Sequence, residues 1–123
     1  MREITSHKTN ECNEAISIIA DEPDEQYGNA SHAYTVDFTG KDGSPFQFGI
    51  DFQRGPIKEV GTNGLTHEVL LAILIDRLEG FQSGQFACPE NSRALDFARL
   101  TLDALKERTA KRVARGVEGT NVV

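Results

Sequence analysis

Three arginines near the C-terminal end carry the clearest chemistry in the sequence. Arg108, Arg112 and Arg115 recur at i, i+4 and i+7, a spacing that puts side chains on one helix face. A guanidinium donates in a planar fork that fits phosphate oxygens two at a time. Lys106 and Lys111 lie among them, so residues 106–123 hold five cations against two carboxylates, while the whole chain carries −6. So acidic a body would repel a long phosphate backbone but tolerate a small anion. The competing reading is structural: cations at a helix C-terminus offset the macrodipole and need no ligand.

Other side chains offer two readings each. Phe81 and Phe86 around Gly84 either close a hairpin as core residues or present a flat face to a nucleobase. Asn91 either caps a helix or reads a base edge through its amide. Cys88, beside Pro89 at a helix start, is either an activated thiol or a small buried residue. Catalytic constellations are not legible. His7 and His32 sit in polar stretches, and His67 beside Glu68 reads as surface or cap chemistry. There is no serine elbow, HExxH, Walker loop or cysteine pair at ligand spacing. The acidic cluster Asp21, Glu22, Asp24 and Glu25 reads as a solvated loop, not a metal site. The expectation is a binding protein, not an enzyme, with no catalytic residue, metal or cofactor.

The elements that must position these residues follow from periodicity. AISIIA over 15–20 reads as a short strand after a loose polar start over 1–14. Tyr34, Val36 and Phe38 alternate with polar residues, as do Phe46, Phe48, Ile50 and Phe52, and the turn-rich TGKDGSP between them closes a hairpin. The Gly-rich GPIKEVGTNG reads as a loop. Thr66 caps a first helix over 66–79 that stops at Gly80 and is apolar nearly all round from Val69 to Ile75. A helix apolar on every side needs cover on every side, which implies a subunit interface. Pro89 opens a second helix running to about Ala114 and stopping at Gly116. The fold class is therefore α+β: an N-terminal antiparallel β-sheet followed by a C-terminal antiparallel two-helix hairpin. At 123 residues the expectation is one domain over 1–123, with the sheet part at 1–54 and the hairpin and its C-terminal binding loop at 55–123. The apolar run is too short to cross a bilayer, and Cys12 and Cys88 lack a disulfide pattern, so the reading is a reduced cytoplasm without membrane contact.

GPIKEVGTNGLTHEVLLAILIDRLEGFQSGQFACPEN and the later RTAKRVARGVEGT resemble the helical hairpin of phage Thoeris anti-defence sponges of the first described type. That hairpin is shared with the anti-CBASS cyclic-oligonucleotide sponges. The resemblance covers about residues 54–120, and the sheet before the hairpin matches the Thoeris branch. It implies binding and sequestration, without cleavage, of cyclic ADP-ribose isomers made by TIR-domain enzymes. Some members of the group also bind cyclic di- or trinucleotides of CBASS at separate sites formed by oligomerisation. Phe81 would stack on adenine, Asn91 would contact the polar edge, and Arg108 and Arg112 would clamp the pyrophosphate. Arg115 with Gly116 to Thr120 would form the adjoining loop. The sequence departs from the pattern at Pro89 and Ser92, both beside Asn91. The implied assembly is a homo-oligomer, a dimer or a hexamer built as a trimer of dimers, in the cytoplasm of the infected bacterial host. DNA and RNA are not expected ligands; the alternative is a nucleic-acid-binding accessory phage protein that uses the same arginines.

Overall fold

The alternating segments build a four-stranded antiparallel sheet in the order β1-β2-β3-β4, with β1 at Arg2–Ile4, β2 at Ser17–Ala20, β3 at Ala33–Thr39 and β4 at Pro45–Asp51. The computed structural model describes all residues from Met1 to Val123. They form two compact units, Met1–Gly55 with Thr62–Gly64, and Pro56–Gly61 with Leu65–Val123.

In the first unit, Ile4 pairs with Ile18, Ile18 with Val36 and Val36 with Phe48, one apolar row across all four strands. Cross-strand partners share a face, so Thr35, Asp37, Gln47 and Asp51 occupy the other. Phe38 and Phe46 stack with ring centroids 5.0 Å apart. The β3–β4 turn is built by Asp42, whose Oδ1 accepts the Ser44 N–H at 2.9 Å, and by Gly43 at φ +87°. Gly64 is obligatory for another reason: a Cβ there would sit 2.4 Å from the Phe52 carbonyl carbon. The first 14 residues are not loose. They contain β1 and a short helix, α1, at Glu11–Glu14, whose cap Asn10 accepts the Asn13 N–H at 3.0 Å. Three residues cannot show alternation, so β1 is specified by its partner strand. Nor is the acidic loop wholly solvated: Asp24 Oδ2 meets Arg54 Nε at 2.7 Å, and its Oδ1 accepts the Gln26 N–H at 3.1 Å.

The second unit holds α2 at Ile57–Val60, α3 at His67–Gln82 and α4 at Pro89–Ala114. The predicted Gly-rich loop thus contains one helical turn. Thr66 Oγ1 accepts the Val69 N–H at 3.3 Å and starts α3, as the sequence predicts. The helix passes through Gly80 instead of stopping there and is capped at Ser83, whose hydroxyl donates to the Gly80 carbonyl at 2.7 Å. A helical glycine costs about 1 kcal/mol, which this cap and the packing of Leu78 can offset. The connection is clamped by Gln82: Oε1 accepts the Cys88 N–H at 3.0 Å and Nε2 donates to the Cys88 carbonyl at 3.2 Å. Ile75, Leu95 and Ala98 form the buried core between α3 and α4, flanked by Leu78 and Leu102. Arg99 donates to Glu79 at 3.0 Å across the two helices. Much apolar surface stays open, including Val69, Ile73 and Leu74 on α3 and Phe97 and Leu100 on α4. No helix is long and apolar enough to cross a membrane.

Candidate functional site

The last turns of α4 carry Arg108, Lys111, Arg112 and Arg115 into a shallow depression of about 520 Å³, also lined by Ala104, Glu107 and Val123. The cations do not share one environment. Lys111 is paired with Glu107 at 3.0 Å, one turn away. Arg112 is nearly buried, its side chain 11% exposed, and faces the chain that follows the helix. Its Nε donates to Glu118 Oε2 at 3.0 Å, Nη1 to the Val122 carbonyl at 2.7 Å, and Nη2 to the Val117 and Thr120 carbonyls at 3.0 and 3.1 Å. Of the five N–H donors a guanidinium owns, one on Nη1 is left. Arg115 donates to the Val123 carbonyl at 2.8 Å. Arg108 is exposed and makes no hydrogen bond or ion pair.

The loop after α4 folds around that buried guanidinium. Gly116 at φ +72° turns the chain back past the helix end, and the Val117 N–H donates to the Arg112 carbonyl at 3.1 Å. The Thr120 hydroxyl donates to the Val117 carbonyl, and Thr120 Oγ1 accepts the Val122 N–H at 3.3 Å. Gly119, at φ +79°, is held from the other side by α2: the Lys58 N–H donates to its carbonyl at 3.1 Å. The Lys58 stem passes 3.2 Å from where a Gly119 Cβ would stand. Sequence reasoning identified the loop but missed Glu118 and Lys58 as what fixes it. The Lys58 contact joins residues 61 positions apart, and no local pattern signals it.

Phe81 and Asn91 sit at the opposite end of the hairpin. Phe81 is half-buried and meets the exposed Phe86 edge-on, with centroids 6.2 Å apart. The Arg77 guanidinium lies 5.0 Å from the Phe81 ring centroid. Their i, i+4 spacing on α3 is visible in the sequence. The α4 cap is Cys88, whose Sγ accepts the Asn91 N–H at 3.4 Å. The half-buried Asn91 amide is thus not spent on capping. From Asn91 to Arg108 is 17 residues of continuous helix, about 26 Å along the axis. Within one chain the structure brings the arginines and the 116–120 loop together, and it does not bring Phe81 or Asn91 to them.

Residues 47–98 match the model of the Acb2/Tad1 hairpin domain, from β4 through the first turns of α4. Phe81 and Asn91 lie inside the match, and the arginines and their loop lie beyond it. The chain is also similar to Thoeris anti-defense 1 of Bacillus phage SBSphiJ7, 42% identical over 94 residues that cover 76% of this chain. It spans 63% of that protein's length. The helix–turn–helix of α3 and α4, the family-model match that ends in the first turns of α4 and the identity to the phage protein agree: over residues 47–98 the chain is similar to the Acb2/Tad1 hairpin family.

Proposed function

We propose that this protein is a phage anti-defence sponge that acts in the host cytoplasm against Thoeris-type immunity. In this reading it binds cyclic ADP-ribose isomers made by TIR-domain enzymes and withholds them without cleavage. The observation that carries the reading is the partition of cations at the end of α4. Arg112 is consumed in building a fixed loop, while Arg108 stands without a partner in the depression beside it. A pre-built loop next to an unpaired guanidinium suits reversible binding of a small diphosphate. Each charge-assisted hydrogen bond contributes about 1.5–3 kcal/mol net. Several of them with one base stack reach roughly −12 kcal/mol, a nanomolar complex.

The complete site in this proposal needs two copies. A span of about 26 Å is too long for one small ligand to bridge on a single chain. An antiparallel dimer with its two-fold axis near the middle of α4 sets the Phe81 and Asn91 end of one copy against the Arg108 to Arg115 end of its partner. The helix midpoint is where Phe97 and Leu100 leave apolar side chains 61% exposed, an unspent surface at the place where that axis would pass. The clamp is then Arg108 with the remaining Arg112 donor, bordered by Arg115, Gly116 and Thr120. Cyclic di- or trinucleotides would occupy separate sites, such as those of a hexamer made as a trimer of dimers.

The test is to saturate the protein with a cyclic ADP-ribose isomer, remove free ligand, denature by heat and chromatograph what is released. Stoichiometric recovery of intact ligand supports sequestration. Recovery of a hydrolysed product, or of nothing, contradicts it.

A further inference from the structure

Arg77 has one contact of note, the ring of Phe81 one turn later on α3, with Cζ 5.0 Å from the ring centroid. The guanidinium is exposed and has no carboxylate or carbonyl partner. Phe86 meets the half-buried Phe81 ring at a steep angle, 65° between planes with centroids 6.2 Å apart, and does not stack flat on it. A planar cation therefore covers the aromatic face that a base would use.

We propose that Arg77 is a base-binding residue: a purine inserts between its guanidinium and the Phe81 ring, so that the base is held on both faces. This rests on the sponge reading above, in which Phe81 meets the adenine. A guanidinium plane stacks on a nucleobase as readily as on a phenyl ring. An inserted base is roughly 3.5 Å thick and puts Cζ about 7 Å from the phenyl centroid. Arg77 must then withdraw about 2 Å, within reach of rotamer adjustment in a side chain with no other tether. An exposed cation–π contact favours the closed pair only about two- to fivefold, so parting it costs little. The plane of Arg77 also restricts the partner. Stacking between the guanidinium plane and the Phe81 ring needs a flat base, which neither a ribose nor a phosphate supplies, so purine-bearing cyclic nucleotides are the favoured class.

Calorimetry with a cyclic ADP-ribose isomer made by a TIR-domain enzyme separates this from its alternatives. Arg77→Ala weakens binding about five- to twentyfold, with the melting temperature unchanged because the residue is exposed. Arg77→Lys, which keeps the charge and loses the plane, fails to rescue. Wild-type affinity in Arg77→Ala, tighter binding from removal of a competing group, or full rescue by lysine each overturns the proposal. No binding by the wild-type protein would instead defeat the sponge reading itself.

Discussion

The Arg112 guanidinium and the Glu118 carboxylate are joined at 3.0 Å across the end of α4, and the same guanidinium donates to three carbonyls of the loop that carries Glu118. This makes Arg112 the internal support of the loop. Arg108, one helical turn earlier, has no such duty. Two residues of one type on one helix face thus do different work.

That difference should separate in mutants. Arg108→Ala weakens cyclic ADP-ribose binding about ten- to hundredfold, the loss of one charged hydrogen-bond donor, and leaves thermal stability unchanged. Arg112→Ala also lowers binding, but it exposes the Val117, Thr120 and Val122 backbone to faster amide hydrogen exchange. Equal exchange in the two variants would show that Arg112 does not hold the loop.

If two copies share each site, defects at opposite ends of the hairpin complement one another. Phe81→Ala and Arg108→Ala chains bind poorly alone. After mixing, unfolding and refolding together, random pairing rebuilds about a quarter of all sites from an intact Phe81 end and an intact Arg108 end. Titration should recover that fraction at wild-type affinity. A mixture no better than its components would place the whole site on one chain.

The glycine in the loop has a specific duty. At Gly119 a Cβ would stand 3.2 Å from Lys58 Cγ, on a residue with φ +79°. Gly119→Ala therefore strains the loop where α2 holds it, and binding falls several-fold while the α3–α4 core, which lies elsewhere, melts as before. Unchanged binding would remove the loop from the site.

Much of this was readable beforehand. Alternation in Tyr34–Phe38 and Phe46–Phe52 gave the central hairpin, and Thr66, Pro89 and Gly116 marked three helix ends where the structure has them. What escaped detection was set by distant partners. The strand at Arg2–Ile4 exists through pairing with Ser17–Ala20, and α3 outlasts Gly80 because its end is capped at Ser83. The arginine stripe was equally plain in the sequence. Its division of labour was not, because one guanidinium looks like another until Glu118 and three carbonyls are seen around it.

Acidification should loosen the β3–β4 turn. The Ser44 backbone N–H, bonded to the Asp42 carboxylate, holds that carboxyl below its ordinary value of 3.8. A depressed folded pKa stabilises above the unfolded value and ceases to do so as pH falls through the folded one. Ser44 amide protection should therefore drop below about pH 4, and Asp42→Asn should remove that dependence. A turn whose protection is the same in both proteins at every pH would contradict the assignment.

The most direct test of the central claim is calorimetric titration of the wild-type protein and of the Arg108→Ala/Arg112→Ala double variant with a cyclic ADP-ribose isomer, the oligomeric state of each being checked by ultracentrifugation. The account predicts nanomolar, saturable binding by the wild type and none by the variant, with the same assembly in both. Wild-type affinity in the double variant, or no heat from either protein, would contradict it.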